Sequence, residues 1–309
     1  MNHKKAILLM AYGTPYDLTD IMAYYTNIRH NHQPTPELYN DLVARYKAIG
    51  GTSPLAKITQ AQADALQKKL NKTFPDQYEV FVGLKYIHPF IKDAVDQIAS
   101  QGIQTIYGIP LAPHYSTFST EDYHNRAKAA LAAYDGIKYI PAKSWWENDD
   151  LIHFWSDQLT DLASLTEQET TQVIFSAHSL PLKIIETGDP YKAQIEANIH
   201  AIAAAADLKA NQYTIAWQSA GRTGDQWIGP DFVEVAKDLI QNKGFKHIVS
   251  ASIGFISDNL EIRYDVDIEL KAAIENSGGT LTRLRMPNAD EPLINALESE
   301  VERLYTMES

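Results

Sequence analysis

The chain has 309 residues, with 27 Lys plus Arg against 39 Asp plus Glu, for a formal charge of −12. At roughly 150 residues per domain this length predicts about two domains, and such a chain buries roughly three quarters of the surface it exposes when unfolded, so its core needs neither disulfides nor a structural metal. The 45% apolar and 21% charged composition excludes a disordered, collagen-like or coiled-coil chain. The acidic balance, with no clustered Lys/Arg patch, argues against a nucleic-acid partner. Zero cysteines exclude disulfides, thiolate nucleophiles and a Cys-ligated iron–sulfur cluster, which is compatible with a cytosolic protein.

In chain order, short apolar runs alternate with stretches of helical period, the pattern of parallel βαβ units. His3-Lys4-Lys5 before Ala6–Tyr12 faintly resembles a signal peptide, but the apolar run stops at Gly13-Thr14-Pro15 and reads better as a buried first strand. Strands are predicted over Ala6–Tyr12, Glu79–Leu84, Thr105–Leu111 and Lys138–Ile140, then over Val173–Ser176, Tyr213–Trp217, His247–Ile253 and Thr280–Leu284. Amphipathic helices are predicted over Ile58–Leu70, Ile91–Ser100, Glu121–Ala133, Ala193–Ala206, Phe232–Gln241 and Ile262–Asn276. The polar stretch Ser164–Thr171 reads as the linker, which sets domains at 1–163 and 164–285. A final helix, Glu291–Tyr305 within 286–309, is expected to pack back on the first domain. No apolar stretch approaches the ~18 residues of a transmembrane helix.

The two halves repeat a pattern: each opens with a strand running into a turn, at Met10-Ala11-Tyr12-Gly13-Thr14-Pro15 and at Ser176-Ala177-His178-Ser179-Leu180-Pro181. Ligands of open α/β sheets collect beyond the carboxyl ends of the strands. Two Rossmann-like domains facing each other would bring Tyr12, His114, His178 and Glu261 around one cleft.

His178, between small residues at a strand end, is either a hydrogen-bonded structural histidine or a ligand or base. Glu261, Asp265 and Glu269 recur at i, i+4, i+8, which on an α-helix lines one face with a drift of about 40° per step. Stacked like charges destabilise a helix unless a cation sits among them, so the row reads either as a metal-ion track or as a solvated acidic face near a helix N-terminus. Imidazole with carboxylates suits a divalent transition metal, whereas all-oxygen ligation suits Mg²⁺ or Ca²⁺. Gly221-Arg222-Thr223-Gly224 is too isolated to be a nucleotide loop, and no Gly-x-Ser-x-Gly elbow supports a serine hydrolase. Tyr24, Tyr25, Arg29, His30 and His32, with Arg45-Tyr46 and Gly50-Gly51-Thr52-Ser53-Pro54, would suit a large planar molecule with several carboxylates, or form an ordinary surface helix.

The blocks just quoted, with Ile49–Leu55, Leu111-Ala112-Pro113-His114-Tyr115-Ser116, Trp217-Gln218-Ser219, Gly229-Pro230-Asp231, Gly254-Phe255, Asn259-Leu260-Glu261 and Met286-Pro287-Asn288, resemble the ferrochelatases in order and spacing from about residue 6 to 300. The resemblance implies two Rossmann-like, chelatase-type domains, each a parallel four-stranded sheet flanked by helices, with the active-site cleft between them. It implies Fe²⁺ insertion into a porphyrin, with the metal-binding His and Glu at His178 and Glu261 and an outer acidic site for a divalent cation at Asp265 and Glu269. Tyr12 matches the soluble Gram-positive branch, which resembles coproporphyrin III ferrochelatase, and would be an axial ligand to the product iron. Porphyrin contacts carry over to Tyr12, Arg29, Arg45, Tyr46, Ser53 and Tyr123.

The same resemblance implies no tightly bound cofactor beyond the substrate iron, a cytoplasmic monomer without stable membrane insertion, and transient contact with the next haem-pathway enzyme. Two residues depart from the family: Asn259 stands where His-Leu-Glu has histidine, and Leu270 where close relatives often have cysteine. The competing expectations are a protoporphyrin IX ferrochelatase, a chelatase for sirohydrochlorin with cobalt or iron, and a non-catalytic porphyrin or haem carrier.

Overall fold

The computed structural model describes residues 4–221 and 224–308. His3 and the Arg222-Thr223 pair of the glycine-flanked run therefore lie outside the described residues. The chain divides into two compact units, one of Met1–Pro113, Ser119–Trp145 and Asn288–Ser309, the other of His114–Phe118 and Trp146–Pro287.

The first unit opens with strand β1 (Lys5–Ala11), whose Ala6–Met10 run is fully buried. That is what a central parallel strand requires, since helices cover both of its faces. A 3-10 turn (Leu18–Asp20) leads into α1 (Ile21–Ile28), followed by α2 (Pro36–Ala48) and α3 (Leu55–Thr73). Strand β2 (Tyr78–Leu84), helix α4 (Ile91–Ser100), strand β3 (Thr105–Pro110), helix α5 (Thr120–Leu131) and strand β4 (Lys138–Pro141) complete the sheet. All pairings are parallel in the order β2-β1-β3-β4.

The second unit begins with α6 (Asp149–Asp161) and the short α7 (Ala163–Thr166), then β5 (Thr171–His178), α8 (Leu182–Glu186), α9 (Tyr191–Ala205) and β6 (Tyr213–Gln218). Helix α10 (Phe232–Gln241) and strand β7 (His247–Ala251) follow, then a π-helix (Ile262–Leu270) continued by α11 (Lys271–Asn276), and last β8 (Thr280–Arg283). This sheet is also parallel, in the order β6-β5-β7-β8, which is the first order displaced by four strands. The repeat seen in the strand-end turns thus extends to topology, with β1 and β5 as equivalent inner strands.

The observed division departs from the expected boundary at residue 163 by the segment His114–Phe118 and by the stretch from Trp146 that contains α6. This helix packs on α9 and buries Leu151, Phe154, Trp155 and Leu159, and so belongs with the second unit. The polar run Ser164–Thr171 lies inside that unit, where it finishes α7 and enters β5. The chain's last helix, α12 (Glu291–Glu308), packs on α3 in the first unit. Its end is tied down where Glu308 Oε2 receives Lys5 Nζ and the Tyr107 hydroxyl, each at 2.6 Å.

Two glycines are fixed by geometry. Gly13, at φ +86°, turns the chain just past Tyr12, and a Cβ there would meet Ile87 Cγ2 at 2.8 Å. Gly254 lies so close to β5 that a Cβ would meet the Ala177 Cβ at 2.6 Å, which holds the loop after β7 against the residue preceding His178.

Candidate active site

In the second unit, His178 is the last residue of β5 and pairs in register with Gln218 at the end of β6. Its Nδ1 lies 2.5 Å from the Ser179 carbonyl oxygen. A carbonyl only accepts, so Nδ1 carries the proton and Nε2 keeps its lone pair. Burial pushes the His178 pKa below the usual histidine value, opposed by that carbonyl and by the charge of Asp265, so the imidazole is neutral near pH 7. Its backbone carbonyl accepts from the Tyr191 hydroxyl at 3.0 Å, and the Phe255 ring stands 6.2 Å from its own. Beneath the strand end, the Ser176 hydroxyl donates to Gln218 Oε1 at 2.8 Å and lies 3.0 Å from the Ser252 hydroxyl.

Asp265 and Glu269 lie on the π-helix and not on the α-helix expected over Ile262–Asn276, and Glu261 immediately precedes it. Hydrogen bonds that reach i to i+5 widen the turn, so the drift calculated for an α-helix does not apply; π segments are frequent at functional sites. The three carboxylates are graded in burial: Glu269 is exposed, Glu261 half-buried and Asp265 only 5% exposed. Asp265 Oδ2 accepts a hydrogen bond from the Ser219 hydroxyl. Arg263 turns to Asp267 at 3.4 Å, which also receives Arg283 at 2.7 Å.

Asn259, the departure from His-Leu-Glu, has a local role: its Oδ1 accepts from Ile262 N at 2.9 Å and caps the helix that carries the row. His114 is buried against Asn198 Oδ1 at 3.1 Å, and burial pushes its pKa down to about 4, so it is a neutral structural histidine. Among the described residues, no three His, Asp or Glu side chains converge as a metal cage.

In the first unit, Tyr12 follows β1 directly and is 40% exposed. Its ring packs on Tyr86 with centroids 4.6 Å apart and meets Tyr24 edge-on at 6.4 Å. Lys85 lies beside it, its backbone N–H bonded to the Ala11 carbonyl at 3.0 Å and its ammonium 2.7 Å from Asp122 Oδ2. The ammonium stands 4.7 Å from the Tyr123 ring centroid and 6.0 Å from that of Tyr12. Arg126 joins from the far side, bonding Asp122 at 2.9 Å and lying 5.1 Å from the Tyr86 ring. Two cations share one carboxylate, which leaves this aromatic cluster one positive charge in excess.

The other expected porphyrin contacts differ in accessibility. The buried Nε of Arg29 has no hydrogen-bond partner among the described residues, as suits a guanidinium that awaits an acceptor. Arg45 Nε pairs with Asp41 at 3.4 Å. Tyr46 is buried, its hydroxyl 3.1 Å from that of Thr14; Ser53 is buried and accepts from Leu55 N at 3.2 Å; Tyr123 is buried, which raises its pKa.

Lys85, Tyr86, Arg126 and Ser219 were not among the residues expected from the sequence. Lys85 follows the end of β2 as Tyr12 follows β1, so the strand-end rule already pointed to it; Ser219 stands in the Trp217-Gln218-Ser219 block, but nothing in the sequence gives it a role.

Two doubly wound parallel sheets with chemistry-bearing side chains at their carboxyl ends are a chelatase architecture, and solved chelatases share it. SirB from Bacillus subtilis with Fe³⁺ superposes with a TM-score of 0.60 at 12% identity, over 97% of this chain and 95% of that one. The family model described as Ferrochelatase matches residues 4–304, and the chain belongs to that family. Among its curated relatives, the coproporphyrin III ferrochelatase of Oceanobacillus iheyensis is 45% identical over 307 residues, covering 97% of each chain. That of Halalkalibacterium halodurans is 42% identical over 306 residues, covering 98% of each.

Proposed function

We propose that this chain inserts Fe²⁺ into coproporphyrin III to give iron-coproporphyrin in haem biosynthesis, with unit 1 holding the porphyrin and unit 2 handling the metal. The observation that carries the reading is His178: a neutral imidazole at a strand end, its proton committed to the Ser179 carbonyl and its Nε2 lone pair left for a metal ion or a pyrrole proton. Full-length similarity to coproporphyrin III ferrochelatases supports the choice of substrate.

Insertion exchanges the solvent ligands of iron for pyrrole nitrogens while two N–H protons leave a macrocycle too flat to present its lone pairs. A site that binds the puckered macrocycle more strongly than the flat one lowers that barrier, because only interactions stronger in the transition state raise the rate. His178 ligates the metal or accepts a proton, and Glu261 supplies compensating negative charge. The burial gradient from Glu269 through Asp265 supports an outer cation site and a route inward for the metal.

On the porphyrin side, Arg29 and Arg45 pair with propionates, helped by Tyr46, Ser53 and Tyr123, and the exposed phenol of Tyr12 is an axial ligand to the product iron. Cytoplasmic location, a monomeric state and transient hand-over to the next haem-pathway enzyme complete the proposal by extension from the family. Anaerobic incubation with Fe²⁺ and each of coproporphyrin III, protoporphyrin IX and sirohydrochlorin, followed by absorbance, tests it. Coproporphyrin III should be metallated fastest; faster use of protoporphyrin IX in detergent-free buffer would refute the substrate assignment, and binding without insertion would leave a carrier.

A further inference from the structure

We infer that Ser219 is a positioning residue for metal delivery, its hydroxyl holding the buried Asp265 carboxylate in the place where the ion passes toward His178. The inference rests on the proposed role of Asp265 and goes beyond it by naming what orients that carboxylate.

Three observations converge on Ser219. First, it leaves β6 in the left-handed region, at φ +58°. Side chains with a Cβ are uncommon there and glycine is the default, so a serine in that conformation is an outlier that asks for a reason. Second, its hydroxyl donates to Asp265 Oδ2. A carboxylate that is 5% exposed has lost most of its water and depends on protein donors for its orientation. Third, the preceding residue, Gln218, accepts at its backbone carbonyl from Ser179 N at 2.8 Å, and Gln218 faces His178 in the sheet register. One dipeptide therefore touches both partners: Gln218 fixes the turn that bears the imidazole, and Ser219 fixes the carboxylate. The left-handed turn aims the hydroxyl toward the π-helix.

The test uses the whole enzyme and the variant Ser219→Gly, chosen because glycine favours the observed backbone and so removes the hydroxyl without adding strain. Steady-state insertion is measured against Fe²⁺ concentration, under anaerobic conditions with saturating coproporphyrin III. The KM for Fe²⁺ should rise three- to tenfold while kcat changes by less than twofold and the melting temperature does not fall. In an Asp265→Asn background the same change should alter KM by less than twofold, since residues that act through one another are not additive. An unchanged KM in Ser219→Gly, or an equally large effect in the Asp265→Asn background, would overturn the inference while the metal route stands. If Asp265→Asn itself leaves KM unchanged, the route through Asp265 falls and the inference falls with it.

Discussion

Replacing His178 with alanine tests the centre of the mechanism, because the structure separates what the side chain does for the fold from what it offers to chemistry. For the fold, it contributes the bond from Nδ1–H to the Ser179 carbonyl, whose loss costs about 1 kcal/mol, and a half-buried ring beside Phe255. For the reaction, loss of a proton acceptor or ligand at Nε2 costs about 10²–10⁴-fold, or roughly 3–5 kcal/mol of barrier. The variant should therefore fold, quench porphyrin fluorescence nearly as the parent does, and insert iron at least a hundredfold more slowly. Turnover within tenfold of the parent would refute the reasoning and leave His178 a structural residue.

The pH profile supplies an independent check. Burial places the folded pKa below the ordinary value of 6.5, and the neutral imidazole is the working form, so kcat/KM should hold at neutral pH and fall on an acid limb below 6.5. Asp265 raises the His178 pKa by its charge, so Asp265→Asn should move that limb to still lower pH. Linkage has the same sign: with a depressed folded pKa, the unfolded chain binds the proton more tightly, and stability contributed above pH 6.5 is lost as pH falls through the folded value.

Tyr12→Phe should keep iron insertion within about tenfold, a barrier change of no more than about 1.4 kcal/mol, while altering the visible spectrum of bound ferric coproporphyrin and weakening its retention. An unchanged ferric spectrum would mean that the ring only packs against the macrocycle, as it packs on Tyr86. Asn259→Ala should remove the cap at Ile262 N and cost about 1 kcal/mol, seen as a melting temperature lower by roughly 2–4 °C. Asn259→Asp should retain the cap, and equal losses in both variants would argue against capping.

Much of the fold was legible because parallel strands buried on both faces leave continuous apolar runs, as in Ala6–Met10 and Val173–Phe175. Helix α2 was harder to see, since only Tyr46 of its residues is buried and its sequence carries little apolar stripe. Helix α6 does carry one, at Leu151, Phe154, Trp155 and Leu159 behind an Asn148 cap. The π-helix had no such signal, because a nine-residue segment is too short for its wider turn to stand out from an α-helical pattern. The strand-end positions of His178 and Tyr12 were legible from the apolar runs that precede them. The grading of the acidic row and the Ser219 bond were not, because burial and a left-handed serine are products of tertiary packing.

The charge balance bears on the proposed division of labour between the two units. A net charge of −12 favours the approach of Fe²⁺ and opposes that of a porphyrin bearing four propionates. At physiological ionic strength, however, interactions between exposed charges fade over about 8 Å, so the groups beside each ligand decide its fate. In the proposed function those groups are, in unit 1, the Arg29 guanidinium, with its unpartnered buried Nε, and the Lys85–Asp122–Arg126 cluster with one positive charge in excess among tyrosine rings. In unit 2 they are Glu269 and Asp265 on the π-helix and Glu261 just before it, together with a neutral histidine. Exchanging the two sets would put carboxylates against propionates and guanidinium groups against a dication, so repeated sheets of the same strand order require opposite chemistry at their carboxyl ends.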